Sequence, residues 1–172
     1  MSTPAGTRPD PGPLARMFED DQYAWTRARR VRHRPALAEV GLLAALVLLT
    51  LWAATTEDGW QGTAFAVPWV VGVLGFIPLH SLLNSGIRGL FDRRLRTLDE
   101  HQRRLRSESV DRMHWPSEAL TFAAWAGGIA LVAVTGHTGL GLVLAFLLWF
   151  AAGLLPYWRL AWTMPDEADP LA

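Results

Sequence analysis

The sequence predicts an all-α integral membrane protein of four transmembrane helices, arranged as two tandem hairpins with a cytoplasmic amphipathic helix between them. Three observations lead there. The 172-residue chain is 51% hydrophobic with a formal net charge of zero, yet charge and apolar residues occupy different stretches. All 16 basic side chains are arginines, and 15 of them lie in two blocks, Arg8 to Arg34 and Arg88 to Arg112. The short segments inside each hairpin, Thr55 to Gly62 and Gly136 to Gly139, contain none. Arginine is retained on the cytoplasmic side of short loops, so the blocks orient the chain as well as marking its spans.

The first apolar run, Ala36 to Ala54, carries Glu39 as its one charge and approaches the ~20 residues that cross a ~30 Å hydrocarbon core. It is too long, and too far from the start of the chain, for a cleaved signal peptide. The second run, Thr63 to Leu83, contains Pro68 and Pro78, which a membrane helix tolerates where neighbours satisfy the freed carbonyls. From Ala119 to Trp158 there is no acid or arginine. As one helix that stretch would reach ~60 Å, twice the hydrocarbon thickness, so it folds back at Gly136-His137-Thr138-Gly139. The third span is then Ser117 to Thr135 and the fourth Gly139 to Trp162. Trp52, Trp60 and Trp69 fit an outer aromatic belt; Trp115, Tyr157, Trp158 and Trp162 fit an inner one. A soluble four-helix bundle would need a polar face on each helix, and these have none.

The resulting organisation is a disordered N-terminus (1–13), a basic interfacial lead-in (14–34), a first hairpin (35–84), a cytoplasmic amphipathic helix (85–115), a second hairpin (116–163) and an acidic tail (164–172). In the lead-in, Met17, Phe18 and Trp25 precede Arg27, Arg29, Arg30, Arg32 and Arg34, which are expected to contact anionic lipid at about 1 kcal/mol each near the surface. Between the hairpins, Asp92/Arg96, Asp99/Arg103, Glu100/Arg104 and Glu108/Arg112 are acid-to-arginine pairs at helical spacing. Ile87, Phe91, Leu95, Leu98 and Leu105 form a narrow apolar stripe on the same segment. That stripe is expected to lie on headgroups or on its own bundle, with a coiled-coil contact to another chain as the alternative.

The halves also parallel each other. Phe18 to Gln22 matches Leu98 to Gln102, His33-Arg34-Pro35 matches His114-Trp115-Pro116, and Gly75-Phe76-Ile77-Pro78 matches Gly153-Leu154-Leu155-Pro156, at nearly constant offset. A tandem duplication of this kind implies parallel repeats about a pseudo-two-fold along the membrane normal. Trp52-Ala53-Ala54-Thr55, Phe65-Ala66-Val67-Pro68-Trp69, Gly72, Gly75 and His80 resemble the bacterial two-transmembrane-hairpin domain over Val31 to Asn84. The resemblance implies a membrane module sometimes joined to signalling proteins, and it implies no chemistry. Arginine without lysine fits a high-GC bacterial genome.

Glu39, His80, Glu118 and Arg159 place one ionisable group near the cytoplasmic end of each span, and a closed bundle would gather them into a polar cluster, with Arg159 meeting Glu39 or Glu118. The plainer alternative is structural glue or snorkelling of boundary residues. The five histidines are scattered over both faces, and no two stand four apart on one helix, so no metal site is expected. Cysteine is absent, which excludes disulfides and thiolate chemistry. No nucleophile and base share a depth in the spans, so the chain is not expected to be an enzyme or to carry a cofactor. Balanced charge beside the spans argues against nucleic acid. Small-residue pairs, Gly41/Ala45, Ala123/Gly127, Ala124/Gly128 and Gly141/Ala145, mark close helix contacts.

The expected function is that of a structural or interaction module in the inner (plasma) membrane, multi-pass with both termini cytoplasmic. Its expected partners are membrane lipid and either a second copy or another membrane protein. The alternative is a small proton-coupled transporter or transporter subunit using Glu39.

Overall fold

The structure, a computed structural model, describes residues 25–56 and 62–165. The expected disordered N-terminus, Met17 and Phe18 of the lead-in, Trp60 and most of the acidic tail lie outside these residues. Four long helices are described: α1, Arg29–Ala53; α2, Thr63–Gly86; α3, Glu100–Thr135; and α4, Thr138–Thr163. Each is long and apolar enough to cross a membrane. Helices α1 and α4 form the inner pair. Helix α2 packs on α1 and α3 packs on α4, while α2 meets α4 only lightly and scarcely touches α3. A pseudo-two-fold would require α2 to pack on α3 as α1 packs on α4, so the packing lacks the symmetry expected of a tandem duplication.

The buried positions of α1 are Arg32, Ala36, Glu39, Leu43, Leu46, Thr50 and Ala53, at alternating spacings of four and three. Such spacing keeps one seam turned to the neighbouring helices. Three apolar clusters follow this seam. At the charged end Ala36 joins Leu83, Ile87, Leu90, Leu98 and Leu160. In the middle Leu43 and Leu46 meet Leu147 and Leu154. At the hairpin-turn end Ala53 meets Phe65 and Leu140. The outward faces stay apolar: Val71, Ile77, Phe122, Trp125, Val134 and Leu142 are all exposed.

The segment between the hairpins differs from the single helix expected over 85–115. Helix α2 stops in a Schellman motif: the Gly89 N–H donates to the Asn84 carbonyl at 2.8 Å and the Arg88 N–H to that of Ser85 at 3.1 Å. Arg88 and Gly89 both take positive φ, 56° and 58°. The chain then turns, makes a short 3₁₀ stretch at Leu95–Thr97, and restarts at Asp99. Asp99 caps α3 by accepting from the Gln102 N–H at 2.7 Å, while Gln102 Oε1 accepts from the Asp99 N–H at 3.3 Å, completing a capping box. Asp92 lies in a turn and Asp99 outside the helix proper, so their helical pairs with Arg96 and Arg103 do not form. On α3 itself an arginine pairs with a carboxylate at Arg104 to Glu108, at 2.7 Å. That hydrogen bond from Arg104 holds the Glu108 carboxyl below the usual carboxylate range, and because the pair is exposed it contributes little to stability.

No break in the helix marks the step from residue 115 to residue 116. Helix α3 runs unbroken through Pro116 for 36 residues, about 54 Å. Proline removes one donor to the Arg112 carbonyl, but both residues are exposed, where the freed oxygen can find a partner outside the helix. The stripe consequently folds onto its own molecule. Ile87 and Leu98 are core residues, Phe91 and Leu105 pack against them, and Leu95 alone of the five is exposed, at 58%.

Helices α3 and α4 cross where Gly128 faces Gly141. A Cβ at Gly128 would stand 2.9 Å from the Gly141 carbonyl oxygen, and one at Gly141 would stand 2.7 Å from that of Gly128 and run into Val132. Ala124 and Ala145 flank the crossing, as the small-residue spacing expects, whereas Gly41 faces open space. Gly141→Ala is therefore expected to destabilise the detergent-purified protein by about 1–3 kcal/mol, the usual cost of overpacking. Gly41→Ala should leave the thermal midpoint unchanged or raised, and equal midpoints for the two variants would refute the close crossing.

Candidate functional site

Glu39 occupies a seam position of α1 where the packing pattern calls for an apolar residue, and it is 0% exposed. Two neighbours divide its carboxylate. His80 Nδ1 of α2 lies 3.1 Å from Oε1, and the Trp158 indole Nε1 of α4 donates to Oε2 at 2.7 Å. One side chain thus ties three helices drawn from both hairpins. Indole is a donor only, so Oε2 must accept. With an ionised Glu39, His80 presents Nδ1–H, a tautomer inferred from the pairing.

The surroundings of His80 extend this contact toward the charged end. Its ring stacks on Phe76 at 5.6 Å between centroids and lies 5.2 Å from Tyr157. Tyr157 packs on Phe91 at 4.3 Å, and the Arg106 guanidinium sits over Phe91 at 5.6 Å. Arg106 also donates to the carbonyls of Leu90 and Arg93, at 3.1 and 3.0 Å. A continuous set of contacts therefore joins the buried carboxylate to the arginine-rich loop.

Of the four ionisable residues expected to cluster, the fold brings Glu39 and His80 together and leaves the other two apart. Glu118 is exposed on α3 and pairs with His114 Nε2 at 3.4 Å. Arg159 points toward the charged segment of α3, where it adds to the positive field that lowers the Glu108 carboxyl. The geometric reason is that α3 packs only on α4, so Glu118 has no route to the seam of α1. The sequence pattern places Trp158 in an aromatic belt, and the fold instead brings its indole to Glu39. Its spacing from Leu154 and Ala161, both buried, is the signal that turns it inward.

The arginines of the lead-in divide similarly. Arg29, Arg30 and Arg34 are exposed. Arg32 is 1% exposed, and its guanidinium donates to the Arg27 carbonyl at 2.7 Å and to that of Met164 past the end of α4. Arg27 is buried too. Both serve the protein interior rather than lipid, because the start of α1 and the end of α4 converge there. The adjacent His33 ring stacks on Trp162 at 3.8 Å.

A cleft of about 530 Å³ opens between α2 and α3 over the exposed flank of α4, lined by His80, Ser117, Thr121, Trp149, Phe150 and Tyr157. At its wall Pro156 lacks the N–H that would bond the Ala152 carbonyl, and Ser117 Oγ donates to that oxygen at 2.9 Å. Ser109 Oγ donates to the Pro156 carbonyl at 2.7 Å. Among the described residues no three His, Asp or Glu side chains gather as metal ligands. No protein-family model, curated protein or solved structure matches this chain.

Trp158→Phe leaves Glu39 Oε2 buried without a donor and should cost about 1.5–3 kcal/mol of unfolding free energy in detergent. Replacing both partners, Glu39→Leu with Trp158→Phe, should recover most of that loss, because no buried acceptor is then left without its donor. A double variant as unstable as the sum of the singles would show that the pair does not interact.

Proposed function

We propose that this chain is a four-span protein of the inner (plasma) membrane, with both termini and the 87–99 segment cytoplasmic, acting as a structural or interaction module. The exposed apolar exteriors of all four helices support insertion, since patches of that extent are not sustained in water. The arginine-free turns and the two arginine blocks support the orientation. The observation that carries the functional reading is the saturation of Glu39. Fully buried, with an oxygen held by each of His80 and Trp158, it offers nothing to a substrate and acts as a polar tie between hairpins. Leu95, the one stripe residue left exposed, and the arginines around it are the surface offered to a membrane-protein partner or a second copy. The sequence resemblance to a two-transmembrane-hairpin module agrees with such a role.

A second reading is favoured by one feature. The cleft between α2 and α3 has His80 on its wall, one hydrogen bond from Glu39, which is the arrangement a small proton-coupled transporter or transporter subunit would use.

Orientation is tested by single-cysteine labelling of the naturally cysteine-free chain: Thr138→Cys should label from outside the cell and Ser107→Cys only after permeabilisation, and the reverse pattern overturns the topology. Function is tested by cross-linking in native membranes followed by affinity capture. A stoichiometric partner lost in Leu95→Asp supports the module. Proton flux in proteoliposomes that Glu39→Gln abolishes, with the variant still folded, would replace it with the transporter.

A further inference from the structure

Beside the Glu39 contact, at the charged end of the α1–α2 pair, lies a small pocket of about 260 Å³. Val31, Pro35 and Ala38 on α1 face Leu79 and Leu82 on α2, so its floor is apolar, while Trp25, Thr26 and Arg34 complete its lining. Arg34 gives the lining a positive charge, and Arg30 stands one helical turn before it, both exposed, while Arg27 and Arg32 are buried. The first turn of α1 contains no acidic residue, and the positive end of its dipole adds to the same field. Trp25, also exposed, has the amphipathic ring that settles at headgroup depth.

We propose that this pocket binds one anionic phospholipid, with its phosphate against Arg34 and Arg30 and an acyl chain in the Val31/Pro35/Leu79/Leu82 crevice. The proposal rests on the membrane reading above and narrows it from a diffuse basic surface to a single site. Charge complementarity selects the headgroup, because a zwitterionic lipid brings its own cation to the arginines. Size selects the occupant, because the crevice admits a hydrocarbon chain and not a helix. Arg32 takes no part in it.

The test uses the full chain in detergent, titrated with dioleoyl phosphatidylglycerol or dioleoyl phosphatidylcholine and read by native mass spectrometry. The wild type should retain one phosphatidylglycerol in preference to phosphatidylcholine. Arg34→Gln should weaken that retention about fivefold, the loss expected for one arginine near an anionic surface. Ala38→Trp, which fills the crevice and keeps every arginine, should abolish it. Arg96→Gln in the other basic block should have no effect, and an equal loss there would reduce the site to a diffuse field. Stronger lipid retention in Met17→Asp/Phe18→Asp would overturn the proposal by making the N-terminal segment the occupant. Release of the chain from membranes by a carbonate wash, before any lipid is added, would instead sink the membrane reading itself.

Discussion

A carboxylate with no exposed surface sets the terms for the rest of this fold. Removing an ionised carboxylate from water costs several kcal/mol unless its oxygens are met by donors. Glu39 meets that requirement with one donor from each of two other helices, His80 from α2 and Trp158 from α4. Neither could be supplied by α1 itself at this geometry, so the hairpins must dock in one register for the carboxylate to be paired. Apolar clusters above and below it supply the bulk of the packing, but leucine against leucine is tolerant of sliding. The polar contact is what specifies the alignment.

The same demand for partners governs the backbone. Helix ends and prolines leave carbonyls without donors, and here side chains supply them. Ser117 reaches the Ala152 oxygen freed by Pro156. Arg32 binds carbonyls at both the start of α1 and the end of α4. Arg93, Arg103 and Arg106 donate to Thr97, Leu95 and Leu90 within the segment between hairpins. Arginine suits this work, since its guanidinium carries five donors in a fixed plane and stays charged when partly buried. The arginine blocks therefore have two uses. Some side chains stay exposed at the ends of the apolar helices, and others tie the segment between the hairpins and the helix ends together.

Much of this was legible from the chain alone. The four helices and the turn at Gly136 follow from run length and glycine placement, which are local properties. The stop at Gly89 and the restart at Asp99 were equally present, as a glycine beyond the α2 end and an Asp-x-x-Gln capping box, but the helical spacing of charges over the same residues obscured them. Where charge periodicity and termination signals compete, the termination signals prevailed. The partners of Glu39 were half legible. His80 shares its depth in the spans, whereas Trp158 depends on which face of α4 turns inward, a tertiary choice. The fate of Glu118 and the loss of two-fold symmetry were not legible, because both follow from α3 packing on α4 and scarcely on α2.

The continuity of α3 bears on how the two ends of the fold are joined. One helix runs from the charged segment between the hairpins to the Gly136 turn, unbroken at Pro116. It is fastened to α4 by the Ser109 and Ser117 hydrogen bonds and again at the Gly128–Gly141 crossing. The charged segment and the hairpin turn thus share one helix and one packing partner, a connection that does not pass through the buried carboxylate.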